Sequence, residues 1–165
     1  LREAVFRAGF AFMEDFEGRH EAVRGIVDRA EAVGAARERE VLARFEEPDR
    51  RAKEVAKRAG KAARDGGLRE SLELLTLLYR DAAVIEAGVE ELVANTDRVA
   101  EIRGYLDQYR AADWAGAARS LGEARAALAY NVSPEAILEV ALSRIRRKIL
   151  VPSRGSLTSG SPAGA

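Results

Sequence analysis

Residues 72–88 read LELLTLLYRDAAVIEAG, and this stretch decides the fold class. Leu72, Leu75, Tyr79, Ala82 and Ile85, with Leu68 just upstream, recur at helical spacing. Leu74, Leu77, Leu78 and Val84 widen that stripe until more than half the circumference is apolar. A helix of this kind is buried between neighbours rather than laid on a surface. Tyr79, Arg80 and Asp81 interrupt the run with a phenol and an ion pair. Desolvated polar groups cost free energy unless they find partners, so the triplet reads as a structural polar knot or as a family signature.

The remaining signals extend the helical reading in both directions. Upstream, Leu1, Val5, Ala8, Phe12 and Phe16 form one stripe and Val23, Ile26, Val27, Ala30 and Val33 a second. Gly18 weakens the helix where it stands, and Gly34 is a plausible stop. Val41, Leu42 and Phe45 suggest a short third segment. Pro48, between Glu47 and Asp49, suits the first turn of a new helix that runs to Arg64 and stops at Asp65-Gly66-Gly67. Downstream, Gly88 ends the central helix, and residues 90–94 form a short helical turn. Asn95-Thr96-Asp97 offers cap oxygens for a helix carrying Val99, Ile102, Leu106 and Tyr109. Another helix carries Trp114, Ala117, Leu121, Ala124 and Leu128. Trp114, the only tryptophan, suits a core or an interface. Ser133-Pro134-Glu135 opens the last helix with a cap, a first-turn proline and an acid. No strand-like alternation occurs. The expectation is an all-α single bundle of about six to eight helices over residues 1–150, with a Ser/Gly/Pro-rich flexible tail over 151–165.

Composition narrows the function. The chain has 165 residues, 47% apolar and 33% charged, with zero formal net charge and no cysteine. That excludes a disulfide framework, a thiolate nucleophile and a zinc–thiolate site. No apolar run approaches the roughly 18 residues that span a bilayer, and nothing resembles a signal peptide. A cytoplasmic location with no membrane partner is the default. The chain opens on Leu1 and its only methionine is Met13, so a longer parent polypeptide is expected.

Chemistry-bearing constellations are scarce. Glu14, Asp15, Glu17, His20 and Glu21 cluster, and Glu17-x-x-His20 has the spacing used by di-iron bundles. Those sites need the pair twice, and His20 is the only histidine, so a solvated carboxylate face explains the cluster. The chain contains neither a G-x-S-x-G elbow nor a phosphate-binding G-x-x-x-x-G-K-[ST] loop. No cofactor, metal site or catalytic residue is expected.

Charge is unevenly spread. Arg50, Arg51, Lys53, Lys57, Arg58, Lys61 and Arg64 stand against Glu54 alone, seven basic residues to one acidic. From Arg69 to Glu101 the balance reverses, with eight acidic residues and three basic. The basic segment reads as a solvated helix face or as a weak, sequence-independent contact with a phosphate backbone. It has no aromatic residue to stack on bases.

The order of signals is more specific than any one of them. A leucine-rich helix ending in Leu78-Tyr79-Arg80-Asp81 leads to Asn95-Thr96-Asp97. About a helix and a half later Leu128-Ala129-Tyr130-Asn131 precedes Ser133 and an Ile/Leu-rich helix. Residues 68–150 in this order resemble the C-terminal collar domain of the delta-prime subunit of the bacterial DNA polymerase III clamp loader. Related gamma/tau subunits share that architecture more loosely. Residues 1–67 match only in kind, as charged helices. The resemblance implies a non-catalytic oligomerisation role beside gamma/tau and delta subunits, in a machine that loads the sliding clamp for DNA replication. It also implies that Tyr79, Arg80, Asp81, Asn95 and Asn131 form a structural knot. The family's Ser-Arg-Cys motif belongs to its ATPase-like module, and this cysteine-free chain lacks it. The alternative is an unrelated helical adaptor, or a DNA-contacting module that uses the basic 50–64 helix.

Overall fold

The computed structural model describes residues 2–10, 16–130 and 132–150, and every regular element among them is helical. Six α-helices follow in order: α1 (Arg2–Phe10), α2 (Phe16–Leu42), α3 (Arg50–Glu86), α4 (Val99–Gln108), α5 (Trp114–Ala127) and α6 (Pro134–Leu150). Two single-turn 3₁₀ helices, Glu90–Leu92 and Thr96–Arg98, carry the chain from α3 to α4. Phe12, Met13, Glu14, Asp15, Asn131 and the tail at 151–165 lie outside the described residues.

The bundle is an all-α fold built around α3, which packs against α1, α2, α4 and α5, while α6 closes on α5 and α2. Leu68, Leu72, Leu75, Tyr79, Ala82 and Ile85 of α3 are all buried in one continuous core. Phe6, Ile102, Trp114, Leu121, Leu138, Leu142 and Ile145 reach it from the other helices. Each large side chain buried this fully contributes on the order of 2 kcal/mol of transfer free energy.

Two expected helix stops are absent. Gly34 lies inside α2, and Asp65-Gly66-Gly67 lies inside α3, which runs unbroken for 37 residues. Glycine in a helix interior costs about 1 kcal/mol relative to alanine, a penalty that tertiary packing readily outweighs. At Gly34 and Gly60 the packing is visible. A Cβ on Gly60 would stand 2.9 Å from the Gly34 carbonyl oxygen, and one on Gly34 would stand 2.8 Å from the Gly60 oxygen. The two helices therefore cross almost backbone to backbone. Asp65 does not break the helix either; its carboxylate accepts from the Arg64 guanidinium at 2.9 and 3.1 Å.

The expected third segment is likewise absorbed: Val41 and Leu42 end α2, and Phe45 stands exposed in the turn beyond it. Pro48 precedes α3 rather than entering it, and Asp49 caps the helix by accepting from the Ala52 N–H at 2.7 Å. Gly88 does end α3. With φ of 74° it adopts the left-handed conformation, while Val89 N–H returns to Val84 O and Gly88 N–H to Ile85 O. These two bonds make a Schellman motif, which favours glycine because no Cβ opposes the positive φ. The chain turns there and folds back along α3, which sets up the polar site below.

Candidate functional site

The polar site grows out of that return. Asp81 lies on the face of α3 that the returning segment covers, and its side chain is fully buried. Its carboxylate accepts three hydrogen bonds: from Ala94 N–H at 3.0 Å, Asn95 N–H at 2.8 Å and the Asn95 side-chain amide at 2.7 Å. One side chain thus satisfies three donors that the 3₁₀ turns leave without helical partners. Charge-assisted bonds of this kind are about twice as strong as neutral ones. Asn95 was expected to offer a cap oxygen to the next helix, yet it makes no capping bond. Its amide turns inward to Asp81, and its Oδ1 accepts from the Arg2 guanidinium at 2.9 Å.

Through Arg2 the clasp reaches α1. Arg2 also pairs with Asp97 at 2.5 Å, and Arg98 pairs with Glu3 and, at 3.0 Å, with Glu101. Both guanidiniums lie over the Phe6 ring, 5.7 and 5.0 Å from its centre. Tyr79, one helical half-turn from Asp81, is fully buried and donates its hydroxyl hydrogen bond to the Gly9 carbonyl oxygen of α1. Burial pushes its phenol well above the ordinary tyrosine range, so it stays a neutral donor. A Cβ on Gly9 would meet Leu78 Cδ2 at 2.6 Å, so α1 rests directly on α3 at this point.

The predicted residues thus separate. Tyr79, Asp81 and Asn95 come together at the junction of α1, α3 and the returning loop. Arg80 does not enter the buried knot: its side chain is 45% exposed and approaches Asp81 only at 3.7 Å. Neutral N–H donors, not the neighbouring cation, satisfy the Asp81 carboxylate. Asn131 lies outside the described residues.

A second clasp was not singled out from the sequence. Asp113 precedes Trp114 and accepts from Gly116 N–H at 2.7 Å, capping α5. Its N–H donates to the Lys148 carbonyl at 2.9 Å, and the Lys148 ammonium returns to its carboxylate at 3.3 Å. The start of α5 is thereby tied to the end of α6. Partial burial pushes the Asp113 carboxyl up, but the Gly116 N–H, Lys148 and Arg119 outweigh it and hold the group below the ordinary aspartate range. An aspartate immediately before a helical stripe is a readable cap signal; its Lys148 partner, 35 positions away, is not. Trp114 itself is a core residue, 6.3 Å from Tyr79 between ring centres, and its indole N–H has no hydrogen-bond partner.

The basic set behaves differently. Arg50, Arg51, Lys53, Lys57, Arg58 and Lys61 all stand exposed on the first half of α3, and among the described residues no carboxylate pairs with any of them within 4 Å. Arg64 alone is paired, with Asp65. His20 meets Glu139 at 3.0 Å across the α2–α6 contact. Among the described residues no group of three or more His, Cys, Asp or Glu could hold a metal ion, and no helix is long and apolar enough to cross a membrane.

No family model, no curated protein and no solved structure matches this chain.

Proposed function

We propose that this chain is a non-catalytic assembly domain, the C-terminal collar of a bacterial DNA polymerase III clamp-loader delta-prime subunit. It would hold its place in a ring beside gamma/tau and delta subunits while the machine loads the sliding clamp in the cytoplasm. The order of the Leu78-Tyr79-Arg80-Asp81, Asn95-Thr96-Asp97 and Tyr130-Asn131 motifs along an all-α chain supports this reading.

The observation that carries it is the use made of those motifs. Asp81 and Asn95 spend their hydrogen-bonding groups on the backbone and on each other, and Tyr79 on a helix carbonyl. Groups so committed cannot also serve a substrate, but they fix the angle between α1, α3 and α4. A rigid, non-reactive bundle is what a subunit interface needs, because an assembly domain must present one surface geometry without reordering on contact.

The test is native mass spectrometry of the chain mixed with gamma/tau and delta subunits from the same source. A stoichiometric complex containing one copy of this chain is expected. Failure to join any such complex, while the chain remains folded by circular dichroism, overturns the assignment.

A further inference from the structure

Beyond Ala30 of α2 and before Leu68 of α3, neither helix contributes to the central core. Over residues 31–62 only Gly34, Val41, Ala52, Ala56 and Gly60 are buried, all along the single seam between the two helices. The hairpin therefore projects as a two-helix arm, about 18 Å long on α2 and about 27 Å on α3 at 1.5 Å per residue. The six cations without a carboxylate partner among the described residues stand exposed on its α3 half, and Lys57, Arg58 and Lys61 line the groove that α3 shares with α2. Arg50, Lys53, Lys57 and Lys61 follow one another at helical spacing as a ridge, with Arg51 and Arg58 beside it. Glu54 is the one acid on that half, and Glu31 and Glu38 lie along the seam.

We propose that this ridge docks on duplex nucleic acid through its phosphate backbone, independently of base sequence. The inference does not rest on the collar assignment. Three observations choose the partner. First, the acidic 69–101 segment offers a second copy no matching row. Asp81 is buried, and Glu90, Asp97 and Glu101 are paired with Arg103, Arg2 and Arg98. Of the exposed acids that remain, Glu70 and Glu73 lie on the opposite side of α3 from Glu86, with Glu91 in the loop beyond. Second, the exposed apolar residues of the arm are Val33, Phe45 and Val55, too few and too small for insertion into a bilayer surface. Third, residues 50–64 carry no aromatic side chain to stack on unpaired bases, and no Asn, Gln, Ser or Thr to read base edges. A straight, unpaired row of cations over about 17 Å matches the regular charge of a duplex, one per roughly 1.7 Å of axis, better than the irregular path of a single strand.

Fluorescence anisotropy of a labelled 25-base-pair duplex, titrated with the 165-residue chain over a series of salt concentrations, tests the proposal. Six phosphate contacts predict a log–log salt slope of about −5. The double substitution Lys57→Gln/Lys61→Gln should lower the magnitude of that slope by about 2. Arg146→Gln/Arg147→Gln removes the same charge from the C-terminal half of α6 and should leave the slope unchanged. Absence of duplex binding, a slope equally reduced by both pairs, or tighter binding to a single strand of the same length each overturns the proposal. So does transfer of the Lys57/Lys61 dependence to anionic vesicles or to self-association.

Discussion

The same two helices build both ends of this molecule, by opposite means. Toward the core, α2 and α3 meet through Val23, Ile26, Val27, Leu68 and Leu72, and four other helices cover what remains exposed. Along the arm they meet chiefly through the small residues Gly34, Ala52, Ala56 and Gly60, with Val41, and this seam lies outside the central core. Small residues bring the axes close and gain backbone contact, but they remove little apolar area from water. Large residues do the reverse. The polar chemistry divides the same way: at the core the Asp81 clasp is buried and answered donor for acceptor, and on the α3 half of the arm six cations stand exposed with no carboxylate partner among the described residues. One end is thus built to keep its shape, and the other to meet something.

The sharpest way to break this contrast is to remove the answer at the core. Asp81→Ala leaves Asn95 N–H and the Asn95 amide buried without an acceptor, and the half-buried Ala94 N–H without its partner. The loss should be about 3 kcal/mol, or about 9 °C in Tm for a chain of this size. Differential scanning calorimetry measures it. The same experiment on Arg80→Ala should move Tm by less than 2 °C, since an exposed side chain 3.7 Å from its partner contributes about 0.5 kcal/mol or less. Equal losses for the two variants would mean that the cation, not the loop backbone, holds Asp81.

How much of this was legible in the sequence differs between the two ends for a physical reason. The core face of α3 could be read residue by residue, because leucine and isoleucine at 3.6-residue spacing have one stable use. The helix start at Ser133-Pro134 was legible too, since the Ser133 hydroxyl accepts from Ala136 N–H at 3.3 Å. The arm was not. Glycine reports weak helix propensity in isolation, so Gly34 and Gly66-Gly67 look like stops, and only the partner helix turns Gly34 and Gly60 into contacts. At the candidate site the sequence pointed to Tyr79, Asp81 and Asn95, but the role of Arg2, 93 residues from Asn95, depends on tertiary geometry that no local pattern encodes. Arg80 looked central because it is Asp81's neighbour; adjacent residues on a helix point about 100° apart, which sends it to solvent.

Glycine substitutions sharpen the contrast at a smaller scale. Gly66→Ala places a Cβ where nothing lies within 4 Å, so only helix propensity changes, and stability should rise by about 1 kcal/mol. Gly60→Ala carries the same propensity gain, but its Cβ would sit 2.9 Å from a backbone oxygen and 3.0 Å from Glu38 Cβ, and the two helices must move apart. Overpacking of this kind costs about 1–3 kcal/mol, which cancels or reverses the gain. Hydrogen exchange should show the amides of the arm exchanging faster in Gly60→Ala and slower in Gly66→Ala. If both variants stabilise alike, the close crossing at Gly34 and Gly60 is absent in solution.

The smallest effect separates the ends by their response to acid. Asp113 ties α5 to α6, and its carboxyl is held below the ordinary aspartate range when folded. A depressed carboxyl contributes stability that is fully present above the unfolded value, about 3.9, and is lost as pH falls through the folded one. Glu86 opposes it: burial, and then the Asp113 charge, raise its carboxyl, so protonation of Glu86 on acidification relieves a strain rather than adding one. The net acid-side loss from this pair should therefore be modest, below about 1 kcal/mol for groups this near the surface. Asp113→Asn keeps an oxygen for the Gly116 cap but abolishes the charge, so Tm plotted against pH should flatten below about pH 4 relative to the unmodified chain. The seam at Gly34 and Gly60 has its own carboxylates, Glu31 and Glu38, which Asp113→Asn leaves untouched, so arm protection measured by hydrogen exchange should follow the same pH course in both proteins. A variant that flattened the arm's response along with the core's would show that the two ends unfold as one unit, and that the arm borrows its stability from the clasps of the core.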